Sequence, residues 1–150
     1  LEKLGEQLEG IVNYDFWVPE PTLQFPGIRE FLSKYQEYAV DAGVDPLGYY
    51  LPPYAYAYLQ ILGHAITETE SIDEEILAEH IRSNEFSTVV GNVAFGPDGE
   101  WKKSRILMVQ FQNIVGRNLQ QFTEPGTRVV LYPPEWASGQ PQYPFAGGNN

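Results

Sequence analysis

Three features predict an α/β fold. Residues 28–43 and 54–67 carry apolar side chains at helical spacing, residues 86–95 and 105–115 shift to a period of two, and Gly96-Pro97-Asp98-Gly99 turns the chain between those β-like stretches. Helices followed by antiparallel strands are therefore expected, with FSTVVGNVAFGPDGEW as the most distinctive run.

The chain opens on LEKLGEQLEG, where Leu1, Leu4 and Leu8 share a helical face and Gly10 offers a left-handed C-cap. Residues 11–17 are β-branched and aromatic and predict a strand; Pro19, Pro21 and Pro26 then hold the chain extended. Ile28, Phe31, Leu32, Tyr35, Tyr38 and Ala39 fall at three-and-four spacing, predicting an amphipathic helix stopped by Gly43. After a loop over 44–51, Pro52-Pro53 presets the first turn of a second helix over 54–67. That segment is apolar nearly all round, so burial on most sides is expected, with Tyr56 and Tyr58 packed in the core. Ser71 and Glu74 form a capping box for a third helix ending near Asn84, with Ile72, Ile76, Leu77 and Ile81 as its buried stripe. Strands are expected at 86–90, 92–95 and 105–115, the last with Leu107, Val109 and Phe111 on one face, and at 127–132. The proline- and glycine-rich tail, including Pro133, Pro134, Gly139, Pro141, Pro144 and Gly147-Gly148, is expected to lack regular structure.

Composition narrows the partners. A chain of 150 residues, 43% hydrophobic and 14% aromatic, makes one globular unit or a piece of a larger one. A net charge of -11 offers no footprint for nucleic acid or anionic lipid. Without cysteine there is no thiolate chemistry and no disulfide; an oxidising compartment is consistent with this but not required. The start at Leu1 has neither Met nor a signal-peptide pattern, so further chain upstream is expected.

Catalytic signals are weak. His64 lies within an apolar helix, His80 sits near Glu75 and Glu79 as surface chemistry, and Asp73, Glu74 and Glu75 are explained by helix capping. Asp98 lacks the ligand pattern of a calcium loop, and Gly96–Gly99 reads as a turn because no helix follows it to hold a phosphate. No catalytic residue, metal or cofactor is expected.

The block AYLQILGHAI, the Ser-Ile-Asp helix start, IRSNEFSTVVGNVAFGPDGEW, a strand ending in Gln and VVLYPPEWASG together resemble the C-terminal part of type I periplasmic binding proteins. These are the substrate-binding components of branched-chain amino acid type ABC transporters. The resemblance implies a fragment of a two-lobed fold: residues 1–10 ending the second lobe, 11–90 forming a crossing strand and part of the first lobe, and 91–150 returning to the second lobe and tail. The hairpin and tail are thereby assigned to the second lobe and the helices to the first. Helices without their sheet leave apolar surface uncovered, so the chain is expected to stay associated with the rest of its parent or to self-associate by exchanging elements.

In that family, lobe closure traps a small solute, an amino acid or aromatic carboxylate, for an ABC permease in the membrane. The implied location is periplasmic or extracellular, with a lipid anchor possible. Tyr49 and Tyr50 match a segment that faces the cleft, Tyr54 lies one helical turn on, and Tyr14, Phe16 and Trp17 lie on the implied crossing strand. Rings with a polar tip suit an amphiphilic solute, although core packing explains Tyr49 and Tyr50 equally well. A sensory domain of the same fold, and an enzyme or structural interaction domain, stand as alternatives.

Overall fold

The computed structural model describes residues 1–103 and 105–143; the part of the expected tail at Pro144 and Gly147-Gly148 lies outside the described residues. In chain order the regular elements are β1 (Val12–Asp15), α1 (Ile28–Ala42), α2 (Pro52–Thr69), α3 (Glu74–Ser83), β2 (Glu85–Thr88), β3 (Gly91–Ala94), β4 (Leu107–Phe111) and β5 (Arg128–Tyr132). Short 3-10 turns lie at Gly5–Leu8, Pro21–Leu23, Leu119–Thr123 and Pro134–Trp136. The chain divides into two compact units, one formed by Leu1–Gln24 with Ile106–Asn150 and the other by Phe25–Arg105.

The first unit is built on an antiparallel sheet in the order β1-β4-β5. Leu107, Val109 and Phe111 alternate inward as expected and are buried, as are Trp17, Leu23, Phe122 and Val130 of the same unit. Phe111 and Phe122 pack edge to face at 6.1 Å. The strand is shorter than 105–115 because the sheet ends where Asn113 takes a left-handed backbone and the chain turns away. The amides beyond it are taken by carboxylates: Asn113 N and Ile114 N donate to Glu9, and Gly116 N to Glu6. The same contacts explain why residues 1–10 form one 3-10 turn in place of the expected helical tail. Gly5 has a φ of +53, outside the α region, and Glu6 and Glu9 are committed to the loop.

Inside this unit the carboxylate of Asp15 on β1 is ion-paired with Arg128 on β5, both nearly sealed from solvent. Among the described residues the tail expected to be structureless has no helix or strand after Trp136, yet two glutamines hold its residues 140 and 142 in place. Gln110 Nε2 donates to Gly10 O and Gln142 O while its Oε1 accepts from Gln142 N, and Gln112 Nε2 donates to Gln140 O.

The second unit holds the three helices and the β2–β3 hairpin. Helix α1 starts after Gly27 and stops at Gly43, both left-handed, as the sequence spacing predicts. Helix α2 begins at Pro52, but its burial is corrected by the structure. Ala57, Ile61 and Ala65 face inward, whereas Tyr56, Tyr58 and Leu59 are exposed. The stripe at four-residue spacing is the buried one; on the flanks Tyr56 stacks on Phe31 of α1 while staying partly exposed, and Tyr58 and Leu59 are open to solvent.

The cap of α3 also differs from expectation. Asp73 Oδ1 accepts from Glu75 N and Ile76 N, while Ser71 Oγ accepts from Asp73 N, so the cap sits two residues later than the expected box. Of the expected stripe only Leu77 is buried; Ile72 is 83% exposed. His80 does not pair within its own helix, because its Nε2 lies 2.7 Å from Glu68 Oε2 on α2.

Hairpin register runs from Glu85 opposite Ala94 to Thr88 opposite Gly91, with Val89 and Val90 as the connecting residues. This pairing places both strands with the helices, which β2 and β3 contact through α2 and α3. The expected boundary at 90/91 therefore falls inside the hairpin, and the units divide at 24/25 and 105/106. The Gly96–Gly99 turn closes, with Gly99 N donating to Gly96 O and Phe95 bridging Trp101, but the antiparallel hairpin expected across it is corrected: β3 pairs with β2, and the 105–115 stretch pairs through β4 with β1 and β5.

Candidate functional site

In the second unit the loop before α2 is fixed by its own polar groups. Asp45 accepts from Leu47 N and Gly48 N, Tyr35 Oη donates to Asp45 O, and Gln36 Nε2 donates to Leu47 O. Gly48 has a φ of +68, and a Cβ there would collide with the Tyr35 ring. The loop thus delivers Tyr49 into the core and leaves Tyr50 half exposed.

One turn into α2, Tyr54 packs edge-on against Trp101 with ring centroids 6.3 Å apart. Its hydroxyl is hydrogen-bonded to Arg105. Arg105 is only 7% exposed. The guanidinium lies 4.4 Å from the Phe25 ring centroid and 5.8 Å from that of Trp101, and it donates to Val90 O at 3.0 Å. Burial pushes the Tyr54 phenol upward, while the Arg105 charge and hydrogen bond draw it back. Burial likewise lowers Arg105, and Tyr54 opposes that shift.

In the first unit Tyr14 and Phe16 meet edge to face at 6.2 Å, and Tyr14 is 55% exposed on β1. Trp17 differs from both. It is 1% exposed, and its Nε1 donates to Leu23 O at 2.9 Å. The six aromatic candidates therefore fall into two groups: Tyr49, Tyr50 and Tyr54 in the second unit, and Tyr14, Phe16 and Trp17 in the first.

The chain has the fold of part of a LivK-type periplasmic binding protein. It is similar to the solved structure of the leucine binding protein LivK of Thermotoga maritima, with a TM-score of 0.53 and 24% sequence identity over 73% of this chain. The match spans 29% of that LivK chain. No family model matches the sequence, and no curated protein matches it.

A feature missed in the sequence is an open apolar groove of about 370 Å³ between α1 and α2, lined by Phe31, Lys34, Tyr35, Tyr38, Val44 and Tyr56, among others. Phe31 stacks on Tyr56 at 4.8 Å. The signal was present as aromatics at 31, 35 and 38 on one helical face, but that spacing serves equally for a buried stripe. His64 is exposed on α2. Among the described residues no group of three or more His, Cys, Asp or Glu side chains is arranged to hold a metal ion. None of the described helices is long and apolar enough to cross a membrane.

Proposed function

We propose that the chain is part of an extracytoplasmic solute-binding protein of an ABC transporter, and that it takes part in trapping a small carboxylate-bearing solute by lobe closure. The observation that supports this reading is the fold likeness to a leucine binding protein. The solute is a branched-chain amino acid or an aromatic acid, and Tyr50 and Tyr54 supply aromatic contact area. Trapping needs no covalent step: a solute that contacts both lobes favours the closed population through its differential affinity. The closed form is then presented to a membrane permease.

Thermal denaturation of the full-length parent in the presence of L-leucine, L-phenylalanine or phenylacetate tests the reading. A bound solute at 100 times its dissociation constant stabilises by about 2.7 kcal/mol, and the expected outcome is a raised midpoint with at least one of them. No response to any aliphatic amino acid or aromatic acid overturns the reading. A response to leucine alone removes the aromatic acids.

The exposed Tyr58 and Leu59 of α2 and the α1–α2 groove support a further expectation, that the 150-residue chain is associated in solution with the rest of its parent or with a second copy. Light scattering on the isolated chain is expected to give a mass above 17.0 kDa. A cooperatively unfolding monomer overturns that expectation.

A further inference from the structure

Phe25 and Arg105 are the first and last residues of the second unit, where the chain enters and leaves it. They stack on one another, and through Arg105 both ends of the unit are joined to the β2–β3 connection at Val90 and to Tyr54 on α2. Trp101, which follows the Gly96–Gly99 turn, lies against both Arg105 and Tyr54. Four separate segments thus converge on one buried guanidinium.

The chemistry of the contact fixes its polarity. A guanidinium has donors and no acceptor, so Tyr54 Oη accepts from Arg105 and its own proton lies away from the guanidinium. Arg105 also restricts the ring, because the planar fork is itself held by Phe25, Trp101 and the Val90 carbonyl. A pre-set aromatic wall loses less conformational freedom when a solute binds.

We propose that Arg105 is a positioning residue for solute binding: it orients Tyr54 so that the ring forms a fixed wall and the hydroxyl donates to a carboxylate oxygen of the solute. This rests on the solute-binding reading above. The role belongs to Arg105 rather than to Lys at the same place, because a lysine ammonium lacks the planar fork that touches two rings, a carbonyl and a hydroxyl together.

The test uses the full-length parent carrying Tyr54→Phe, Arg105→Met, Arg105→Lys or the Tyr54→Phe/Arg105→Met pair, with L-leucine and phenylacetate as probes in calorimetric titrations. Tyr54→Phe keeps the ring and deletes the hydroxyl, so its effect reads the hydrogen bond alone. For the probe that binds, each of Tyr54→Phe and Arg105→Met is expected to weaken affinity about tenfold. The pair is expected to be no weaker than the worse single change, since both act on one contact, and Arg105→Lys to fall between wild type and Arg105→Met.

A second readout needs no solute. In ultraviolet phenolate titrations, the component that Tyr54→Phe removes is expected to move to higher pH in Arg105→Met, because burial then acts without the opposing guanidinium. If a probe binds wild type and all variants alike, the positioning role is overturned and the solute-binding reading stands. An unmoved phenolate component in Arg105→Met overturns it as well, and where that variant is too unstable for calorimetry the uncharged Arg105→Gln is titrated in its place. If wild type binds neither probe nor any related acid, the solute-binding reading falls and the proposal falls with it.

Discussion

Asp15→Ala is expected to destabilise the protein by about 3–5 kcal/mol, because it leaves the Arg128 charge inside the first unit without its carboxylate. Arg128 is 8% exposed and lies over the Phe111 ring at 5.9 Å, so water cannot replace the lost partner cheaply. Burial pushes its guanidinium down to about 10, which still leaves it charged at neutral pH. Asp15 Oδ1 also accepts from Phe16 N, and that amide loses its acceptor too. Urea denaturation followed by circular dichroism measures the loss. Asp15→Leu with Arg128→Met is expected to recover most of it, since an apolar pair of similar volume avoids the desolvation of both charges. If Asp15→Ala costs less than about 1 kcal/mol, the pair contributes as a surface ion pair does and the buried geometry is not what stabilises the sheet.

Trp17→Ala is expected to have a comparable effect, about 3–5 kcal/mol, by emptying the largest fully buried side chain of the first unit. Trp17→Phe separates volume from hydrogen bonding. It retains much of the packing and removes the Nε1–H that Leu23 O accepts, at a cost of about 1–3 kcal/mol for the carbonyl left unsatisfied. Thermal denaturation without solute reads both. If Trp17→Ala leaves stability unchanged but abolishes solute binding, the residue acts as a ligand wall and the packing account fails.

Much of the helical part of the fold is legible from local chemistry. Gly27 and Gly43 bracket α1 because both take left-handed backbone, and the 28–39 stripe gives its period. Helix α2 shows where such reading stops: an all-round apolar pattern states that a segment has more than one face to bury, but not which neighbours are present. The α3 cap was misplaced because Ser71 and Glu74 satisfy the spacing of a capping box, while Asp73 is one residue from the first turn and competes for the same amides.

Strand existence was legible from alternation, and strand partners were not. β4 pairs with β1, whose Asn13 lies opposite Val109, far away in sequence. Period two carries no information on such a choice. The candidate site follows the same division. Aromatic residue types could be read from the sequence, but Tyr14 and Trp17 differ in exposure because of the strand pleat and the chain path beyond it. By alternation Arg105 opens the 105–115 strand, and its contacts with Phe25, Tyr54 and Val90 join it to residues distant in sequence, which leave no mark on that pattern.

The paired glutamines of β4 set how short this unit can be made. Gln110 and Gln112 place their amides in the interior, and the groups that satisfy them include the main chain at Gln140 and Gln142. A chain cut back to Tyr132 keeps every strand among the described residues, together with the Gln110–Gly10 and Gln112–Gln110 bonds, yet loses the three bonds these buried amides make to residues 140 and 142. Trimming by secondary structure alone therefore misjudges the end of the fold, and affinity tags or fusions belong beyond residue 143.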